Sequence, residues 1–295
     1  MSNFNTVVIG CGPAGMTAAI YLKRANIDVC IVEKTAPGGQ LNMIHDIKNY
    51  PGFKSIDGPS LAFSMFSQMR ELDIPYVYGT VTEIVDNGNE KIVRTNKDEI
   101  VCNNIVIATG RRPRELGLPN EKKLLGNGVS YCAICDGTLY KDKDVVVVGG
   151  GNTAFESVLY LASIAKKVYL VHRRDEFRGD EISLDAIKKK DNVEIITNSK
   201  ITRINESDDK ISSVVINDDR EIDCSCLFVC VGNVPIPIKC NNLETNNNYV
   251  IVDKYMETSV PGIYAAGDII DKDVYQISTS VGEGTICAMS IIRGK

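Results

Sequence analysis

Thr6-Val7-Val8-Ile9-Gly10-Cys11-Gly12-Pro13-Ala14-Gly15 carries the reading of the fold. Thr6 to Ile9 is a short apolar run, as in a strand covered on both faces. It enters a glycine turn, Gly10 to Gly15, followed by a helix-like run from Met16 to Arg24 and a second strand from Asp28 to Val32. Glu33 closes that strand, 23 positions after Gly10. Strand, glycine turn, helix, strand and acid, in that order, make a dinucleotide-binding unit. The glycines let the backbone approach a pyrophosphate, the helix N-terminus faces its charge, and the acid accepts hydrogen bonds from ribose hydroxyls. Gly10, Gly12, Pro13, Ala14, Gly15 and Glu33 are therefore candidate cofactor contacts in an α/β fold.

A second unit of the same kind begins at Val145. Val145 to Val148 reads as the strand, Gly149-Gly150-Gly151-Asn152-Thr153-Ala154 as the turn, Glu156 to Ala165 as the helix, and Lys167 to Val171 as the next strand. The position matching Glu33 is His172, followed by Arg173, Arg174 and Arg178. An acid would repel a ribose 2′-phosphate, whereas arginines bind it through charge-assisted hydrogen bonds. The first site suits FAD or NAD and the second NADPH, with Gly149, Gly151, Asn152, Thr153, Ala154 and the four basic residues as its candidate contacts.

Between the two units lies Cys132-Ala133-Ile134-Cys135-Asp136-Gly137. Cysteines at this spacing close a small disulfide or open to two thiols, and they carry reversible two-electron chemistry. Asp136 stands where it could move the proton that such chemistry requires. A redox disulfide between two dinucleotide sites points to an electron relay. The other cysteines sit mostly in apolar runs, and Cys30, Cys102, Cys230 and Cys287 read as small core hydrophobes. That usage suits a reducing cytoplasm. Cys224, Cys226 and Cys230 would share one face of a strand running from Asp223 to Val231, but with two histidines in the chain no metal site is expected.

The chain has 295 residues, which favours about two domains, and its net charge of -5 argues against nucleic acid as a partner. No apolar run reaches the roughly 18 residues of a membrane helix. Met1-Ser2-Asn3-Phe4-Asn5 runs straight into a strand, so no signal peptide is expected. Other turn-rich stretches are Pro37 to Leu41, placed to wrap a cofactor, and Asn49 to Phe53. Asn104 to Ala108 reads as a strand closed by Thr109-Gly110, and Gly58 to Leu72 has helical spacing. Arg111-Arg112-Pro113-Arg114 reads as a boundary whose arginines are either a solvated linker or functional. Asn241 to Asn248 reads as a surface loop. A further strand ends at Gly267-Asp268, and a helix is expected over Gln276 to Ile292, its first amides facing a cofactor edge.

Taken together, Gly10 to Gly15, Gly38 to Leu41, Ala108 to Gly110, Cys132 to Gly137, Gly149 to Ala154, His172 to Arg178 and Ala265 to Asp268 resemble the low-molecular-weight, bacterial-type thioredoxin reductases over nearly the entire chain. The resemblance implies two Rossmann-like, three-layer domains. An FAD domain is formed by residues 1–113 and 241–295, and an NADPH domain with the redox cysteines, residues 114–240, is inserted into it. It adds Gly39, Gln40, Leu41, Asn49, Ala108, Thr109, Gly110, Gly267, Asp268, Gln276 and Ile277 to the FAD contacts. It implies that Cys135 is the sulfur nearest the flavin, that Cys132 attacks the partner disulfide, that Asp136 handles the proton, and that the protein is a homodimer reducing thioredoxin or a thioredoxin-like protein. Two positions depart from the family. Tyr275 stands where family members often carry arginine, and Asn127 where they often carry a basic residue. Alternatives are a same-fold flavin reductase serving another disulfide protein, and a non-catalytic nucleotide-binding redox sensor.

Overall fold

The computed structural model describes residues 2–44, 47–88 and 90–294. His45 lies outside them. The chain divides into two compact units: Met1–Arg112 with Pro235–Lys295, and Pro113–Val234. Residues 235–240, which the sequence reading placed in the inserted segment, belong to the first unit. There Lys239 and Cys240 pair in parallel with Glu83 and Ile84.

The first unit is built on the strand Ser2–Ile9, which pairs in parallel with Val29–Glu33 on one side and Glu99–Ile107 on the other. Strand order therefore reverses at the end of Ser2–Ile9, where an open α/β sheet forms its ligand crevice. The apolar run has no polar alternation because both faces are covered. Val8, Ile31 and Val106 pack against the helices Pro13–Arg24, Gly58–Glu71 and Ile277–Arg293. Val7, Ile9, Ile105 and Ile107 pack on the opposite side with Val250, Val260 and Ile269. Glu99–Ile107 serves two neighbours along one edge. Its first half pairs antiparallel with Lys91–Thr95, and its end pairs in parallel with Ile263–Ala265.

The second unit repeats the plan. Asp144–Gly149 is flanked in parallel by Lys167–Val171 and Cys226–Cys230, and Val193–Ile196 and Val129–Ser130 extend the sheet. Val145 and Val147 face the helix side with Phe155, Val158 and Leu161. Val146 and Val148 face the antiparallel strands Ile201–Ser207, Lys210–Ile216 and Arg220–Asp223. The helix after the glycine turn runs over Asn152–Leu161, earlier than the expected Glu156 to Ala165, because Gly151 caps it directly. The strand expected over Asp223 to Val231 begins at Cys226. Cys224 consequently joins a different core cluster from Cys226 and Cys230, and the three do not share a face.

Candidate active site

In the first unit the glycine turn leaves the sheet where strand order reverses. Gly10 adopts φ +107°, and a Cβ there would collide with the Ala108 carbonyl. That contact brings Ala108-Thr109-Gly110 against the turn. Gly12, the N-cap of the first helix, has open space where a Cβ would stand, so its backbone is bare to an approaching ligand. Pro13 is the first helical residue and lacks the amide hydrogen that would there be unmatched anyway. Glu33 closes the turn from the neighbouring strand. Its Oε2 accepts from the Cys11 amide at 2.9 Å, and its Oε1 from Lys34 and Thr35. Oε2 keeps capacity for a further donor.

The remaining candidates of this unit converge from distant parts of the chain. Gln40 donates to Asp268 Oδ2 at 3.0 Å, and Asn49 donates to Gln276 Oε1 at 3.2 Å. Gly39 lies against Gly12, and Gly267 against Ala14. Gln276 caps the last helix, so the amide of Ile277 opens its first turn. Two side chains are committed elsewhere. Leu41 is buried in a small core with Ile47, Leu61 and Ala62, and the Thr109 hydroxyl donates to the Ile236 carbonyl at 2.8 Å. These two residues have mainly backbone to offer a ligand. Three further residues, not singled out in the sequence as contacts, secure the Gly267-Asp268 corner. Glu283 accepts from the Gly267 amide at 2.9 Å and pairs with Lys272 at 2.7 Å, and Arg111 pairs with Asp268 at 3.0 Å. Burial pushes the Glu283 carboxyl up while Lys272 opposes that rise.

In the second unit Gly151 likewise caps its helix with open space at the Cβ position. The basic loop is tied to the glycine turn, since the amides of Arg178 and Gly179 both donate to the Gly150 carbonyl, at 2.8 and 3.1 Å. Beneath Gly150 lies the imidazole of His172, so close that any Cβ would meet the ring. The ring stacks on Phe177 at 4.9 Å, and its Nε2 bonds the Glu176 carbonyl at 3.1 Å. Burial, with a smaller contribution from Arg173, Arg174 and Arg178, holds its pKa below 6.5. His172 thus supports the turn from beneath Gly150. Arg173, Arg174 and Arg178 are exposed. Exposed guanidinium groups beside a bare glycine turn are groups that could hold a phosphate-bearing ligand.

Cys132 and Cys135 form a disulfide in the same unit, with an S–S distance of 2.11 Å. Cys132 caps the short helix Ala133–Asp136, and the Cys135 amide donates to Cys132 Sγ at 3.2 Å. Such a bond stabilises a thiolate at Cys132 once the disulfide opens. Cys135 is the more exposed of the two. Asp136 bonds back through its amide to the Cys132 carbonyl at 3.2 Å. Upstream, the buried Glu121 accepts from the amides of Leu116, Gly117 and Leu118 and from the Tyr131 hydroxyl. It thereby fixes the residue that precedes Cys132. No local sequence pattern marks Glu121, because its donors come together only in the folded loop.

A family model described as pyridine nucleotide-disulphide oxidoreductase matches residues 4–284. The chain is 39% identical to a thioredoxin reductase of Bacillus subtilis over 98% of its own length and 93% of that protein's. It is 38% identical to a thioredoxin reductase of Listeria monocytogenes, covering 97% of this chain and 92% of the relative. Among solved structures it is similar to the FR conformation of Lactococcus lactis thioredoxin reductase, with 37% identity, a TM-score of 0.92 and 98% of each chain covered. With its two glycine turns, its arginine loop and its disulfide, the chain belongs to the pyridine nucleotide-disulphide oxidoreductases, among the thioredoxin reductases.

Proposed function

We propose that this chain passes electrons from NADPH, by way of FAD, to the Cys132–Cys135 disulfide and from there to the disulfide of thioredoxin or a thioredoxin-like protein. The observation that carries the reading is a cysteine disulfide in the second unit, whose glycine turn is tied to a loop of three exposed arginines, while the strand after the first unit's turn ends in an acid that bonds that turn. FAD fits the first unit, where Gly12 is bare and Glu33 Oε2 can accept from a ribose. NADPH fits the second, where Gly151 is bare and Arg173, Arg174 and Arg178 can hold a 2′-phosphate. When bound, these groups supply hydride transfer and a two-electron donor to the disulfide.

The remaining steps belong to the chain's own residues. Two electrons break the Cys132–Cys135 bond and leave two thiol sulfurs. We assign Cys135 to the flavin side and Cys132 to the partner side. Cys135 is the more exposed, but exchange depends on which sulfur is held as a thiolate, and the Cys135 amide holds that of Cys132. Cys132 attacks the partner disulfide, forms a mixed disulfide and releases one partner thiolate. Cys135 then attacks Cys132, which restores the internal disulfide and releases the second. Asp136 supplies the proton to the leaving sulfur. The balance is NADPH, one proton and an oxidised partner giving NADP and a reduced partner dithiol.

We place the protein in the cytoplasm, since the eight other cysteines are free and most are buried. Burial raises the thiol pKa values of Cys11, Cys30 and Cys102 to about 12, so these are structural and not reactive thiols. Among the described residues no helix is long and apolar enough to cross a membrane. We further propose a homodimer, as the family resemblance implies, and no nucleic-acid partner. The test is a coupled assay with NADPH, thioredoxin and a dithiol-sensitive reporter. Reporter turnover that needs both NADPH and thioredoxin is the expected result. Efficient NADPH oxidation with no transfer to any thioredoxin would move the assignment to another disulfide protein.

A further inference from the structure

Arg111 belongs to the boundary stretch for which a solvated linker is one of two expectations, and its side chain is engaged within the first unit. Its guanidinium carbon lies 3.8 Å from the centre of the Tyr275 ring, and its Nε and Nη2 donate to Asp268 Oδ2 at 3.2 and 3.0 Å. Both side chains of the pair are largely buried, with 17% and 16% exposed. The guanidinium comes from the strand Arg111–Pro113 and is seated on the Tyr275 ring.

The two oxygens of Asp268 are unequally engaged. Oδ2 takes three donors, from Gln40 Nε2 and from two nitrogens of Arg111. Among the described residues Oδ1 has only the Ser280 hydroxyl at 3.4 Å and Lys272 at 4.0 Å. A carboxylate held so firmly by one oxygen is oriented, and the other oxygen is left to accept. We propose that Arg111, seated on Tyr275, is a positioning residue of the flavin site: it fixes Asp268 by Oδ2 so that Oδ1 receives a hydroxyl of the ribityl chain. The proposal rests on the reading that the first unit binds FAD.

Purified holoenzyme is diluted, and the FAD released is followed by its fluorescence to give a dissociation constant. Arg111→Met should weaken FAD binding about tenfold, which corresponds to about 1.4 kcal/mol. Tyr275→Leu, which removes the seat without touching Asp268, should weaken it in the same direction by a smaller factor. In an Asp268→Asn background, Arg111→Met should change FAD affinity by less than about twofold, because coupled residues are not additive. ADP, used as a competitor of FAD, reports the pyrophosphate and adenosine contacts alone, so its inhibition constant should be the same in wild type and Arg111→Met. Unchanged FAD affinity in Arg111→Met would overturn the proposal. So would an equal loss for ADP, or a full loss that persists in the Asp268→Asn background, either of which would make Arg111 a tie of the strand and no more. A wild-type chain that takes up no FAD would instead overturn the underlying assignment of the first unit.

Discussion

At the second glycine turn, two residue types divide the work. Arg173 and Arg174 are exposed, and neutralising both should remove about 2–4 kcal/mol of NADPH binding, taking charge-assisted bonds at about 1.5–3 kcal/mol each with incomplete additivity. NADH binding should hardly change, and titration of the double variant with each nucleotide checks this. Equal losses with both nucleotides would mean that the arginines act through the fold. His172 acts through the fold by its position beneath Gly150. Its folded pKa lies below 6.5, so below about that pH the unfolded chain binds more protons and the folded state loses stability. The thermal midpoint should therefore fall between about pH 7 and pH 5.5, and it should fall less in His172→Phe, which keeps a ring and cannot titrate. Parallel declines in both proteins would exclude His172 as a source. This residue was legible in the sequence by register with Glu33 but not in role, because burial under a glycine is a tertiary fact.

Among the elements, the first and last helices set how closely the two ends of the chain approach. A Cβ on Gly284 would collide with the Ala14 carbonyl, at the start of the helix that follows the first glycine turn. Gly282, on the same last helix, has open space around its Cβ position. Gly284→Ala should therefore destabilise by about 1–3 kcal/mol through overpacking and lower flavin retention. Gly282→Ala should stabilise by about 0.5–1 kcal/mol through helix propensity. Denaturant titrations of the two variants check the contrast, and equal effects would show that the helices do not meet closely at Gly284. The strands, glycine turns and helices were readable because the local period and the turn chemistry agree. Cys224, Arg111 and Glu121 were not. Cys224 lies before its strand begins, Arg111 meets an aspartate 157 positions away, and Glu121 gathers amides from a loop without regular structure. Such pairings depend on packing, to which neither periodicity nor spacing refers.

At the level of the whole molecule, two copies of one nucleotide-binding plan differ at the end of the second strand, acid in one and base in the other, and one of them also carries the disulfide. The proposed relay follows from that asymmetry: the units can hold different nucleotides, and the cysteines give the electrons a way out to a protein. The most direct test is NADPH oxidation by a Cys132→Ser, Cys135→Ser double variant, measured with thioredoxin and with ferricyanide as alternative acceptors. Ferricyanide takes electrons without needing the cysteines, so its reduction should persist, while reduction of thioredoxin should fall to background. Thioredoxin reduction by the double variant at a rate comparable to wild type would contradict the relay.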